Sequence, residues 1–130
     1  MQRSPLRFAV PAVPASVPLL RTQVAEFVFT AGVRDPQLAA VKLAVSEAVT
    51  NAVVHAYPDA QPGEVRVVTF VEDATVHVIV SDDGMGMLPR LDSPGLGVGL
   101  PFIASSADTL QIGVSENGGT ELQMTFRMTA

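Results

Sequence analysis

The sequence contains no cysteine and no tryptophan, and it is poor in charge. Without cysteine the chain forms no disulfide, offers no thiolate to zinc and carries no catalytic thiol. Charged residues make up 16% of the chain, and 13 acidic residues against 8 basic ones give a net charge of −5. Contacts to phosphate backbones need clustered Lys and Arg, so we expect no direct binding of nucleic acid.

Long uninterrupted apolar runs are also missing, so we expect no segment that spans a bilayer. Arg3 and Arg7 precede an apolar stretch, as the basic residues of a signal peptide do. Prolines interrupt this stretch, so we interpret it as part of the mature fold. The lack of cysteine fits a reducing cytoplasm, where we expect the protein to act. The 130 residues, 48% of them hydrophobic, are enough for one buried core. We therefore expect a single domain over residues 1–130.

Hydrophobic periodicity predicts strands and helices in a mixed order. Ser16 is expected to cap the first helix and Gly32 to end it, while Asp35 caps the second and Pro36 takes its first position. The predicted segments are strand 6–12, helices 16–32 and 34–58, a hairpin of strands 64–73 and 74–83, a loop over 85–99, a helix over 100–108, and two strands within 109–128. This order predicts an α/β (α+β) two-layer sandwich, with a mixed, mostly antiparallel sheet and helices on one face.

The second predicted helix contains "SEAVTNAVVHA", in which Glu47, Asn51 and His55 recur every four residues and so lie on one face. An amide oxygen such as that of Asn51 is a suitable ligand for Mg²⁺. Glu47, one turn earlier, could bind a metal-bound water or accept a proton. The alternative is a solvated polar stripe with a Glu47–His55 contact. We interpret His55 as a helix-end residue and His77 as structural.

The stretch "SDDGMGM" follows the second hairpin strand, with Asp82 at the strand end and Gly84 and Gly86 after it. A carboxylate there can accept hydrogen bonds from an exocyclic amine, and glycines let the backbone approach a flat ligand. An ordinary Asp-Gly turn is the alternative for this stretch alone.

Two further glycine-containing stretches follow. "PGLGVGLPF" places Gly95, Gly97 and Gly99 before a predicted helix, where backbone N–H groups form an anion site. The stretch lacks the ending of a Walker A loop, and a flexible loop is the alternative. "NGGTEL" places Thr120 at the start of the last strand, and taken alone it predicts a hairpin turn.

The order of these motifs resembles that of the GHKL (Bergerat-fold) ATPases, which include the histidine-kinase catalytic domains. That order is Glu-xxx-Asn on a helix, Asp-x-Gly-x-Gly after a strand, a glycine-rich lid before a helix, and Gly-Thr on a last strand. The stretch "VSEAVTNAVVHAYP" is closer still to the small bacterial anti-sigma-factor serine kinases. The resemblance runs over essentially the whole chain.

The resemblance implies a cofactor, ATP with Mg²⁺, and partners. It implies that Glu47 is the general base toward a partner serine or threonine hydroxyl and that Asn51 coordinates Mg²⁺. It also implies a STAS-type anti-anti-sigma factor as substrate, an alternative sigma factor as the sequestered target, and a homodimer. The implied nucleotide contacts are Asp82 and Thr120 at adenine, Gly84 and Gly86 beside the base, and Gly95, Gly97 and Gly99 along the triphosphate.

One departure bears on function: only "MLPRLDSP" separates Gly86 from Gly95, which is shorter than the lid of well-known members. We interpret Arg90, the cation in this segment, as a solvated loop residue. The short lid favours an alternative in which the chain acts by sequestration only, while an intact Glu47 favours the kinase. A histidine-kinase catalytic domain is a third interpretation, disfavoured because no helix with a phosphoacceptor histidine precedes the domain.

Overall fold

The structure is a computed structural model that describes residues 4–56, 63–84, 103, 106–116 and 118–128. Within these ranges the chain forms five strands, two α-helices and one π-helical segment. Ile103 and Ser106, the described residues nearest the middle of the predicted helix 100–108, are also helical. The elements are β1 (Leu6–Pro11), α1 (Ser16–Thr30), α2 (Gln37–Asn51), the π-helical segment (Ala52–Ala56), β2 (Glu64–Glu72), β3 (Thr75–Asp82), β4 (Thr109–Val114) and β5 (Thr120–Arg127).

The five strands form one sheet in the order β1-β2-β3-β5-β4, and each pair of neighbours is antiparallel. The β2–β3 and β4–β5 pairs are the hairpins that the sequence predicted. β1 pairs with β2 alone and so forms an edge, as expected for a strand that ends in prolines. The prediction of a two-layer α+β fold is confirmed.

One face of the sheet is buried because alternate residues of each strand are apolar. Val67 lies opposite Val80, and Val80 lies opposite Leu122, so these side chains share a face. α1 packs against β1 and β2, and α2 packs against α1 and β3. The core includes Leu20, Val24, Val28, Val41, Val45, Val49, Val78, Ile103, Met124 and Phe126. On the opposite face, His77 stacks on Phe70 with ring centroids 4.5 Å apart, which agrees with a structural role for His77.

The predicted stop of the first helix at Gly32 is confirmed. Gly32 has a φ of +116°, and its N–H donates to the Phe29 carbonyl at 3.0 Å. The Val33 N–H donates to the Val28 carbonyl at 2.9 Å. This pair of bonds is the Schellman arrangement, which satisfies carbonyls at the helix end and requires a left-handed residue that glycine adopts readily.

The predicted N-cap role of Ser16 is wrong. The N-cap position is Ala15, whose φ and ψ of −64° and −20° are helical, so the turn lacks the extended backbone that a side-chain cap needs. Ser16 is the first helical residue instead, and its hydroxyl donates back to the Pro11 carbonyl at 2.5 Å. At the second helix, Pro36 is the N-cap rather than the first helical residue, and the Asp35 carboxylate accepts from the Ala39 N–H at 3.1 Å.

We expected no segment that is long and apolar enough to cross a membrane, and this expectation is wrong, because one helix has the required length and composition. The helical run Gln37–Val54 is long and apolar enough to span a bilayer. Val41, Val45 and Val49 of this run are fully buried against the rest of the core. The core helix of a soluble protein can have the same length and composition, so this helix is only weak evidence for a membrane-spanning segment.

Candidate functional site

Three of the six buried polar side chains in the described part of the chain lie together at one end of the sheet: Asp82, Ser115 and Thr120. Asp82 ends β3 and is only 4% exposed. It follows Val76, Val78 and Val80 at the period of two that turns side chains to the core face, so its carboxylate points inward. A buried carboxylate is costly unless it is hydrogen-bonded, which makes its partners informative.

The carboxylate of Asp82 is held by two backbone N–H groups. Its Oδ1 accepts from the Gly84 N–H at 2.9 Å and from the Thr120 N–H at 3.2 Å. The register that pairs Ser81 with Glu121 brings the end of β3 opposite the start of β5, which places Thr120 there. Among the described residues Oδ2 accepts no hydrogen bond, so the carboxylate has a fixed orientation and one oxygen left for a donor.

A turn between β4 and β5 closes against the same strand end. Ser115 donates its hydroxyl to the Asp82 carbonyl at 2.8 Å and accepts from the Gly119 N–H at 2.9 Å. Gly119 lies so near that a Cβ there would come within 2.0 Å of the Asp82 carbonyl oxygen. Only glycine permits this approach between the two backbones.

The residue after Asp82 is anchored on the opposite side of the sheet. Arg66 donates to both carboxylate oxygens of Asp83, at 2.7 and 2.8 Å. Such a two-point contact between a guanidinium and a carboxylate restricts orientation as well as position. The segment from Asp82 to Gly84 is therefore held from the core face and from the open face of the sheet.

Glu47 and Asn51 lie one turn apart on α2, as the spacing predicted, and both are half-buried. No hydrogen bond or ion pair engages either side chain within the part of the chain that the structure describes. Gln37, at the start of α2, donates to the Arg127 carbonyl at 2.5 Å, and Arg127 lies opposite Thr75 at the far end of β3 from Asp82. The fifteen residues of α2 advance about 22 Å from this start to Asn51, and the π-helical segment that follows packs against β3.

The α-helix changes to a π-helix directly after Asn51, which the sequence did not predict. This segment, Ala52–Ala56, packs against β3. π-helical turns within α-helices occur often at functional sites. The backbone of His55 lies in the segment, but its side chain, and with it the predicted Glu47–His55 contact, lies outside the described residues.

The oxygen donors on α2 fit Mg²⁺, which needs few ligands from the protein. No three His, Cys, Asp or Glu side chains come together in residues 4–56, 63–84, 103, 106–116 and 118–128. Mg²⁺ takes one or two protein oxygens together with waters and phosphate oxygens. The amide of Asn51 and the carboxylate of Glu47 offer oxygens of this kind.

The structure brings Asp82, Gly84 and Thr120 together, and it puts Glu47 and Asn51 one turn apart on α2, which packs against β3. Gly86, Arg90, Gly95, Gly97 and Gly99 lie outside the described residues. Sequence reasoning missed Ser115, Gly119 and Arg66. The turn "NGG" pointed toward Gly119, but no local pattern marks Ser115 or Arg66, whose partners are distant in sequence.

The chain is similar in sequence and in fold to known proteins. Residues 10–126 match the family of histidine kinase-like ATPase domains. The anti-sigma F factor of Clostridium novyi is 32% identical over 115 residues, which cover 80% of each chain. The anti-sigma F factor of Bacillus subtilis is 28% identical over 122 residues, which cover 84% of this chain and 82% of that protein.

A solved structure of the RsbU and RsbW domains of a Mycobacterium tuberculosis protein superposes with a TM-score of 0.78 at 25% identity. The superposition covers 98% of this chain, which spans 33% of the chain in that structure. The chain therefore belongs to the histidine kinase-like ATPase domain family, within the GHKL superfamily. Its relatives include anti-sigma F factors and a protein with an RsbW domain.

Proposed function

We propose that this chain is an ATP-dependent protein serine/threonine kinase and anti-sigma factor, a single cytoplasmic domain over residues 1–130. The observation that carries the proposal is the buried Asp82 carboxylate, oriented by two backbone N–H groups at the end of β3. Membership of an ATPase domain family supports ATP as its ligand. The names of the relatives support a role as an anti-sigma factor.

Adenine recognition rests on Asp82 in this proposal. Oδ1 is engaged by Gly84 and Thr120, so Oδ2 can accept from the exocyclic amine of adenine. Guanine carries a carbonyl oxygen at the equivalent position, which would face a carboxylate oxygen without a proton between them. The site therefore favours ATP over GTP. Gly86 continues the contact with the base, and Gly95, Gly97 and Gly99 line the phosphates.

Phosphoryl transfer requires positioning and charge neutralisation more than covalent chemistry by the protein. Mg²⁺, when bound, neutralises phosphate charge and is coordinated by Asn51. Glu47, one turn earlier on α2, takes the proton from the hydroxyl of the partner protein. Because Asn51 and Glu47 share a helix face, the metal ligand and the base keep a constant separation.

The proposed protein partners are a STAS-type anti-anti-sigma factor as phosphoryl acceptor and an alternative sigma factor as the sequestered target. The names of the relatives support a sigma factor as partner. A homodimer that holds one sigma factor completes the proposal. Light scattering across micromolar concentrations should give twice the monomer mass, and a strictly monomeric mass would contradict the dimer.

Sequestration without phosphoryl transfer is the second candidate function. The short segment "MLPRLDSP" between Gly86 and Gly95 favours it, because a short lid covers phosphates less completely. The two candidate functions share the nucleotide site. They differ in whether phosphate is transferred to a partner, with Glu47 accepting the proton of its hydroxyl. A single-turnover transfer assay with γ-labelled ATP, Mg²⁺ and a STAS protein from the same genome separates them.

Glu47→Gln should bind ATP and the sigma factor normally and yet transfer phosphate about 10²–10⁴-fold more slowly, because the amide keeps the shape of the side chain but is a poor base. Glu26→Gln is the matched control, since Glu26 is an exposed glutamate on α1. That variant should transfer at the wild-type rate.

Transfer at the wild-type rate in Glu47→Gln would show that Glu47 is not the base. A wild-type protein that holds a sigma factor and binds ATP but transfers no phosphate to any STAS protein of its genome would favour sequestration alone.

A further inference from the structure

Ser115 joins two parts of the site that are 33 residues apart in sequence. Its hydroxyl donates to the Asp82 carbonyl and accepts from the Gly119 N–H, and its side chain is 5% exposed. We infer that Ser115 is a positioning residue that sets the orientation of the Asp82 carboxylate, and through it the selectivity of the site for adenine over guanine. The inference rests on the nucleotide site of the proposed function.

The coupling runs through neighbouring backbone groups. Ser115 closes the turn through two hydrogen bonds to Gly119. Its N–H donates to the Gly119 carbonyl at 2.9 Å, and its hydroxyl accepts from the Gly119 N–H. Thr120 follows Gly119 directly, and its N–H is one of the two donors to Asp82 Oδ1. A shift of the turn therefore moves one of the two donors that orient the carboxylate.

The orientation of the carboxylate decides what Oδ2 can accept. With Gly84 and Thr120 both donating to Oδ1, rotation about the bond to the carboxylate would break at least one of these bonds. If the Thr120 bond is lost and only the Gly84 bond remains, the Asp82 carboxylate gains rotational freedom. A carboxylate that rotates presents its second oxygen less consistently to the amine of adenine, and it repels the carbonyl of guanine less consistently too.

A purely structural role for Ser115 makes a different prediction. A buried hydroxyl that bonds only to backbone contributes to stability wherever it lies. Ser16 provides the matched comparison, because it is 4% exposed and donates to a backbone carbonyl, that of Pro11, on a strand that is separated from β3 by β2. If Ser115 only stabilises its turn, the two serine-to-alanine variants should behave alike.

Calorimetric titration with ATP and with GTP tests the inference on four proteins: wild type, Ser115→Ala, Ser16→Ala and Asp82→Asn. Ser115→Ala should lose about tenfold in ATP affinity, a change of about 1.4 kcal/mol. Its ratio of ATP to GTP affinity should fall in the same direction as that of Asp82→Asn. Ser16→Ala should keep the wild-type affinity and ratio while its midpoint of thermal unfolding falls.

Ser115→Thr supplies the second variant, since it keeps the hydroxyl and should restore the ratio of ATP to GTP affinity. If Ser115→Ala does not fold, hydrogen exchange of the wild-type protein decides instead. ATP should then protect the Gly84, Gly119 and Thr120 amides together, and protection of Gly84 without the other two would overturn the inference.

A wild-type ratio in a folded Ser115→Ala would overturn the positioning role and leave the proposed nucleotide site intact. Equal affinities for ATP and GTP in the wild-type protein would overturn the adenine role of Asp82, and the role of Ser115 with it.

Discussion

At the scale of single residues, Gly119 shows how closely two backbones approach at the Asp82 end of the sheet. A Cβ on Gly119 would lie 2.0 Å from the Asp82 carbonyl oxygen and 2.7 Å from its Oδ1. Both atoms belong to a segment that hydrogen bonds hold on both faces of the sheet, so neither can move away easily. The absence of a side chain is therefore a requirement of the site.

Gly119→Ala should lower the free energy of unfolding by about 1–3 kcal/mol, because the added methyl group forces the turn away from Asp82. The same displacement should weaken ATP binding, since it moves the Thr120 N–H from Oδ1. Urea unfolding and calorimetric titration measure the two effects.

Gly113→Ala is the control, because a Cβ on this residue of β4 meets nothing within 4 Å. It should be neutral or stabilise the strand by up to about 1 kcal/mol. Equal effects of the two substitutions would contradict the importance of the close approach.

At the scale of elements, the β2–β3 hairpin is joined by a two-residue turn with left-handed backbone. Asp73 and Ala74 have φ values of 52° and 59°, which matches the type I′ turn that fits the twist of the flanking strands. Asparagine or aspartate followed by glycine is the common pair in this turn. Alanine in the left-handed region is strained by roughly 1–2 kcal/mol.

Ala74→Gly should raise the free energy of unfolding by about 1 kcal/mol, because glycine adopts the same backbone without strain. Ala25→Gly, in the middle of α1, is the matched control and should lower it by about 1 kcal/mol. Denaturant unfolding of both variants measures the change in the free energy of unfolding, which should be positive for Ala74→Gly and negative for Ala25→Gly. A loss of stability in Ala74→Gly would mean that the strain is smaller than the entropy that glycine adds to the unfolded chain.

At the scale of the whole molecule, the candidate site combines residues from two layers. Asp82 and Thr120 belong to the sheet, whereas Glu47 and Asn51 belong to α2, which packs over it. In the proposed function the sheet binds the base and α2 faces the phosphates. The two layers should therefore respond to different parts of the nucleotide.

Asn51→Ala should lose about tenfold or more in affinity for ATP with Mg²⁺, roughly 1.4 kcal/mol, and nothing in affinity for adenosine. Asp82→Asn should weaken both ligands, because it changes the contact with the base. Calorimetric titrations with ATP, with and without Mg²⁺, and with adenosine make the comparison. ATP binding by the wild-type protein that is equal with and without Mg²⁺ would contradict the metal role of Asn51.

The amino-acid sequence by itself determined the elements and the local part of the site. Alternation of apolar residues gave β2 and β3 their buried face, Gly32 ended α1, and the one-turn spacing of Glu47 and Asn51 followed from helix geometry. Each of these features depends on residues within a few positions of one another. Local periodicity and turn chemistry were therefore sufficient to predict them.

Only the tertiary structure decided how the site is assembled. The bonds from Ser115 and Thr120 to Asp82 span 33 and 38 residues, and the pair of Arg66 and Asp83 joins two strands across the open face. The failure of Ser16 as a cap and the π-helical segment after Asn51 likewise reflect packing that helix propensity does not contain. The register of the strands decides which backbone N–H meets which carboxylate oxygen, and register is set by the whole buried face.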